Sequence, residues 1–96
     1  MADMQVSGSV TPGSQQQWFS RNANIGSSPG GVWNMVWVGS PGAPNSHCSN
    51  SGGDPVSKVD VAPVVLEKPY IIKDGSTYKL MRPRVEFNKV GHTAGW

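Results

Sequence analysis

Leucine is nearly missing from this chain: it stands only at positions 66 and 80. Alanine is also scarce, so the residues that most favour helix are lacking and helix content is expected to be close to nil. Cysteine occurs once, as Cys48, which excludes an internal disulfide and with it a disulfide-stapled mini-protein. No apolar run approaches the ~20 residues of a membrane span, so no membrane partner is expected. Residues 1–6 lack the basic and apolar regions of a signal peptide. They read instead as the inside of a strand, as if the chain began partway through something larger. Charge is thin in the first half: of eight Lys and Arg, Arg21 is the only one before Lys58. A net charge of +2 is too weak to argue for nucleic acid, and the charges read as a solvated surface.

Gly and Pro, 12 and 8 of 96 residues, are abundant, and with Ser and Asn they favour turns and short strands. At this length the core is marginal and at most one domain is expected. Val32–Val38 is the densest run of β-formers. Alternation puts Trp33, Met35 and Trp37 on one face and Val32, Asn34, Val36 and Val38 on the other. Both faces are largely apolar, so this strand should be covered on both sides. Asp3–Val6 and Gln15–Asn22 precede it at intervals of roughly 14–17 residues, separated by a turn at Thr11–Ser14 and a second turn region at Asn24–Gly31. Strands so spaced suit a meander, a sandwich or one flank of a β-solenoid.

A long loop at 39–55 follows, then a short strand over Val56–Val61, an interruption at Pro63 and a further strand over Val64–Leu66. The sharpest local expectation is a β-hairpin over about 70–82. Tyr70–Lys73 and Thr77–Met81 flank Asp74-Gly75-Ser76, and Asp-Gly between alternating hydrophobics is a strong hairpin signal. Pro69 and Pro83 bracket it as an edge element. Arg84–Phe87 can form one more strand, and Asn88–Trp96 reads as loop.

Few residues suggest chemistry. Glycoside cleavage needs two carboxylates flanking the sugar bond, one of them protonated. Glu67 and Glu86, each on or beside a strand and next to a base, are the best pair, with surface ion pairs as the alternative reading. Asp74 is a turn residue. His47 and Cys48 are adjacent and His92 is distant, so no zinc or Cys–His nucleophile spacing is present; neither a metal nor a cofactor is expected. Trp18, Trp33, Trp37 and Tyr70 could stack on sugar faces, although a chain this poor in Leu must also build its core from aromatics.

Several blocks together resemble a known family. They are Ala2–Val6; Gly13–Trp18 with Arg21-Asn22; Gly31–Val36 with Gly42-Ala43-Pro44; Pro63–Val65; Glu67–Tyr70; and Pro83–Glu86. They are similar to the middle of large, secreted right-handed β-helix proteins, those of the pectate-lyase superfamily and of the family 55 glycoside hydrolases, which act on β-1,3-glucans. The resemblance implies an all-β fold: short strands of a partial right-handed β-helix plus a β-hairpin, with almost no helix. It implies β-helix-like strands over 1–40, loop and short strand over 41–61, strands and hairpin over 62–87, and a tail over 88–96. It implies a segment or reduced relative of a carbohydrate-active β-helix protein, glycoside hydrolase-like or polysaccharide lyase-like, with a polysaccharide as partner and an extracellular location. With no acid here matching a catalytic position, the chain alone is expected to be inactive. The alternative is a non-catalytic β module for carbohydrate binding or for self-association through open strand edges.

Overall fold

The computed structural model describes residues 1–13, 15–29, 34–48 and 55–94, which form strands and no helix. Val32 and Trp33, the start of the densest β-forming run, lie outside the described residues. The first four strands are β1 (Ala2–Ser9), β2 (Gln17–Ser27), β3 (Asn34–Val38) and β4 (Val56–Val59). They form one sheet, all parallel and in chain order. Met4 faces Ala23, Trp18 faces Met35 and Met35 faces Val56, so successive coils advance 19, 17 and 21 residues. Parallel neighbours stacked in chain order at such short advances, with no helix among the described residues between them, are the mark of a solenoid, and this stack is the partial β-helix expected from the sequence.

Period-2 alternation decides what points inward. Ala23 and Ile25 from β2, Met35 and Trp37 from β3, Ala43 from the loop after β3 and Val56 from β4 make one buried cluster, with Val6, Val10 and Trp18 packed against it. Trp37 is fully buried. In a chain this poor in Leu and Ile, that one indole supplies much of the apolar volume of the core.

The strand β2 runs on to Ser27, through what composition marks as a turn region. Tertiary contact overrides the local signal. The Ile25 N–H donates to the Pro41 carbonyl at 3.0 Å, and Ala23 and Ile25 enter the core.

The bends between sheet faces are stacked as well. Asp3, Asn22 and Gly39 stand at matching levels of three successive coils and have φ values of 51°, 51° and 56°. Asp and Asn are the non-glycine residues that best tolerate this left-handed backbone. At Gly39 even they would fail, because a Cβ there would lie 2.7 Å from the Lys89 carbonyl oxygen and 2.8 Å from Asn22 Nδ2.

The second half leaves the stack as a ribbon. Strand β5 (Ala62–Val65) pairs antiparallel with β8 (Glu86–Lys89), and β6 (Tyr70–Asp74) pairs with β7 (Thr77–Met81). The β6–β7 pair is the expected hairpin, turning at Gly75 with φ 62°. Pro63 lies inside β5 rather than interrupting it. A two-stranded ribbon has a free edge, where the missing proline N–H costs no ladder bond. Residues 40–55 contain no strand among the described residues, only an isolated bridge from His47 to Val56.

The segment read as a C-terminal loop is different. β8 reaches Lys89, and 89–93 is tied across the first three coils. Asn22 Nδ2 donates to the Lys89 carbonyl at 3.1 Å and the Gly91 N–H donates to the Gly39 carbonyl at 2.8 Å. The Thr93 N–H donates to Asp3 Oδ1 at 2.6 Å, and the His92 N–H to Asn24 Oδ1 at 2.6 Å. The loop composition of 88–96 gave no sign of these long-range partners.

Candidate functional site

The site is assembled where the ribbon leaves the stack. Arg21 lies on β2, immediately before the left-handed residue Asn22. Glu67 lies just past β5, on the segment leading to the hairpin. The two meet fork to fork: Arg21 Nη1 donates to Glu67 Oε1 at 2.6 Å and Nη2 to Oε2 at 3.1 Å. A planar guanidinium matches a carboxylate in this way, and the pair is both stronger and more directional than a lysine contact. Arg21 Nη1 also reaches Asn22 Oδ1 at 3.1 Å, which fixes the guanidinium plane. The hydrogen bond to Glu67 raises the Arg21 pKa above its ordinary value, outweighing burial.

Three clefts open around Glu67. The largest, about 710 Å³, is lined by Ala2, Asp3, Arg21, Leu66, Glu67, Lys68 and Tyr70. A second of about 470 Å³ lies between Leu66, Glu67 and Pro69 on one side and Arg82, Pro83 and Arg84 on the other. A third of about 390 Å³ continues from Glu67, Pro83 and Arg84 to Val85, Glu86 and Thr93.

A second polar cluster lies beside the clefts, sharing Asp3, Glu86 and Thr93 with their walls. Lys89 is only 8% exposed. Its Nζ donates to Glu86 Oε2 at 2.7 Å, to Asp3 Oδ1 at 3.3 Å and to Thr93 Oγ1. Burial alone would raise the Asp3 carboxyl, but hydrogen bonds from the Thr93 backbone and side chain and from Lys89 outweigh it and hold Asp3 below the ordinary carboxylate value. Burial alone would lower Lys89; its bonds to Glu86 and Asp3 outweigh that and raise it. Each charge is kept by its partner.

The structure brings Glu67 and Glu86 to one cleft, as a pair of acids would require. Each is already occupied by a cation, Glu67 by Arg21 and Glu86 by Lys89. A general acid must carry a proton on an oxygen, and both Glu67 oxygens accept from Arg21. The ion-pair reading of these two residues is the one the geometry favours.

The aromatics divide. Tyr70 is 37% exposed and lines the largest cleft. Trp18 is half-buried against the core, with Nε1 donating to Ser20 Oγ at 2.9 Å. Trp37 has no exposed face to offer a sugar, because the inward face of β3 needs its bulk. Trp33 lies outside the described residues. His47 and Cys48 are exposed on the long loop, with His47 Nδ1 3.0 Å from the Cys48 carbonyl oxygen and His92 held elsewhere by Asn24.

Sequence reasoning passed over Arg21, Asp3 and Lys89, the groups that organise the site. One signal was available: Arg21 is the single Lys or Arg in the first 57 residues, and a charge taken out of water needs a partner.

No protein-family model matches the chain. Over 95 residues, 99% of its length, the chain is 37% identical to the exo-beta-1,3-glucanase of Streptomyces sp. (strain SirexAA-E / ActE). Two solved structures of sacteLam55A from Streptomyces sp. SirexAA-E resemble it at 37% identity over 98% of this chain. One is a variant in complex with glucose, with a TM-score of 0.88; the other has a TM-score of 0.87. The chain spans 15% of the length of the glucanase and 16% and 17% of the two solved chains. It is therefore similar, over nearly all its residues, to one small segment of a much longer glycoside hydrolase.

Proposed function

We propose that this chain is a carbohydrate-binding segment of the family 55 glycoside hydrolase type, that it recognises β-1,3-glucan, and that it does not cleave it unaided. The observation that carries the reading is the 37% identity over 99% of the chain to an exo-beta-1,3-glucanase. The cleft chemistry supports it. A bidentate Arg–carboxylate pair offers both donors and acceptors to vicinal sugar hydroxyls, and Tyr70 supplies an aromatic face beside it. Arg21, Glu67 and Tyr70 are the residues proposed to contact sugar, with Trp18 supporting β2 from within. The ion pairs that occupy Glu67 and Glu86 support the proposed absence of turnover. An extracellular location belongs to the same reading, since polymeric glucan is met outside the cell.

The test is to incubate the folded chain with laminarin, measuring binding by calorimetry and reducing ends by a colorimetric assay. Saturable binding without release of reducing sugar is expected. Sugar release abolished by Glu67→Gln would overturn the non-catalytic part, and absence of binding would overturn the rest.

A second reading rests on the sheet itself. β1 and β4 each have one neighbour in the parallel stack, so each leaves an edge that could pair with a second copy. Light scattering separates the readings: concentration-dependent mass would support self-association, and a constant monomer mass would remove it.

A further inference from the structure

The base of the ribbon has a property that the glucan reading does not use. The β5–β8 ladder stops at Val65 and Glu86, and the β6–β7 ladder starts at Tyr70 and Met81. Between them, 66–69 and 82–85 run side by side outside both ladders. A plain β-ribbon would have zipped through this gap. Pro69 and Pro83, one on each side, lack the N–H that zipping needs and hold the strands apart. The 470 Å³ and 390 Å³ clefts occupy this splay and join along Pro83 and Arg84.

Bases outnumber acids in the splay: 66–69 and 82–85 hold Lys68, Arg82 and Arg84 against Glu67. In the hairpin beyond, Asp74 is taken by Lys79 at 2.6 Å. The nearby acids are taken too, Glu67 by Arg21 and Glu86 by Lys89. Among the described residues, Lys68, Arg82 and Arg84 have no acidic partner. Two of these line the same 470 Å³ cleft, above an apolar floor of Leu66, Pro69 and Pro83, and its one acid, Glu67, is the one held by Arg21. Leu66 is 63% exposed.

We infer that the proline-splayed base of the ribbon is a second binding site, which takes the carboxylate groups of an acidic polysaccharide through Arg82 and Arg84. Guanidinium groups accept carboxylates in bidentate fashion, and the apolar floor suits the C–H face of a sugar ring. The neutral cleft at Arg21, Glu67 and Tyr70 adjoins it, with Leu66 and Glu67 lining both, but contains neither Arg82 nor Arg84. The inference rests on the proposed function only in taking the polymer to be a polysaccharide.

The experiment compares polygalacturonate, laminarin and dextran sulfate by calorimetry at low and high salt, on three proteins. These are the unaltered chain, R82Q/R84Q, and K58Q/K73Q, which loses the same charge outside both clefts. Polygalacturonate is expected to bind the unaltered chain, roughly tenfold more weakly to R82Q/R84Q, and within about twofold unchanged to K58Q/K73Q. Laminarin affinity should be the same for all three. Equal weakening by both double variants, or dextran sulfate binding more tightly than polygalacturonate, would reveal general polyanion attraction and overturn the inference. No polygalacturonate binding would also overturn it while leaving the glucan reading intact if laminarin still binds. Polygalacturonate binding without laminarin binding would do the reverse.

Discussion

Asn22 and Gly39 occupy the same level of neighbouring coils with nearly the same left-handed backbone, φ 51° and 56°, and the Asn22 Nδ2 lies 2.8 Å from where a Gly39 Cβ would be. That contact makes the bend of the third coil dependent on the bend of the second. Asn22 Nδ2 in turn holds the Lys89 carbonyl at 3.1 Å, so the stacked bends and the segment that crosses them form one unit.

Gly39→Ala is therefore expected to cost about 2–4 kcal/mol: roughly 1–2 for a left-handed alanine, the rest for displacing the Lys89 carbonyl and Asn22. Gly75→Ala is the control. Gly75 also has a left-handed backbone, φ 62°, but nothing lies within 4 Å of its added Cβ. It should cost only the backbone term, about 1–2 kcal/mol. Urea denaturation of the two variants checks the difference; equal losses would show that the Gly39 contacts carry no weight.

Stability should fall at both ends of the pH scale because of the Asp3–Lys89 pair. Asp3 is depressed in the folded state, so its contribution is present above the unfolded carboxylate value of about 3.9 and is lost as pH falls through the lower folded value. Lys89 is raised, so its contribution is full below the unfolded value of about 10.4 and is lost as pH rises through the higher folded value. Between these limits the pair is intact. Asp3→Asn should lower the urea midpoint near neutral pH and flatten the acid limb, a signature that mere loss of packing would not give. An unchanged acid limb would show that other carboxylates set it.

Trp37 is expected to act as a core residue. Trp37→Ala should cost about 3–5 kcal/mol, as truncation of a buried aromatic does. Its buried Nε1 has no hydrogen-bond partner among the described residues, and leaving such a donor unsatisfied has its own cost. Trp37→Phe should therefore cost distinctly less than its lost volume suggests. Laminarin affinity should be unchanged in the Phe variant. A large loss of affinity with little loss of stability would return Trp37 to the sugar site.

The parts of this fold legible in the sequence are those set by local physics. Alternation and Gly or Pro breaks locate the strands, and Asp74-Gly75 marks the hairpin because few residues tolerate its backbone. What could not be read depends on distant partners. β2 continues past Asn24 because Pro41 and the core await it, not because Gly26-Ser27 favours a strand. Lys89 looks like one more surface base until Asp3, 86 positions away, is brought against it by the stacking of coils. Glu67 was legible as an acid beside a strand, but its partner Arg21 was not, since no local pattern links residues 46 apart. Whether the aromatics belong to the core or to a ligand surface turned on coil geometry: Trp37 faces inward and Tyr70 borders a cleft, and composition alone does not distinguish them.

The central claim is that glucan is held at the Arg21–Glu67 fork beside Tyr70. The most direct measurement is two-dimensional NMR of the labelled chain during titration with a laminari-oligosaccharide, following backbone amides and the Arg21 Nε–H. The account predicts saturable shifts concentrated at Arg21, Leu66, Glu67, Lys68 and Tyr70, with the core around Trp37 and the hairpin tip at Gly75 unmoved. No shifts at saturating sugar, or shifts centred on exposed Phe19 or the 40–48 loop instead, would contradict it.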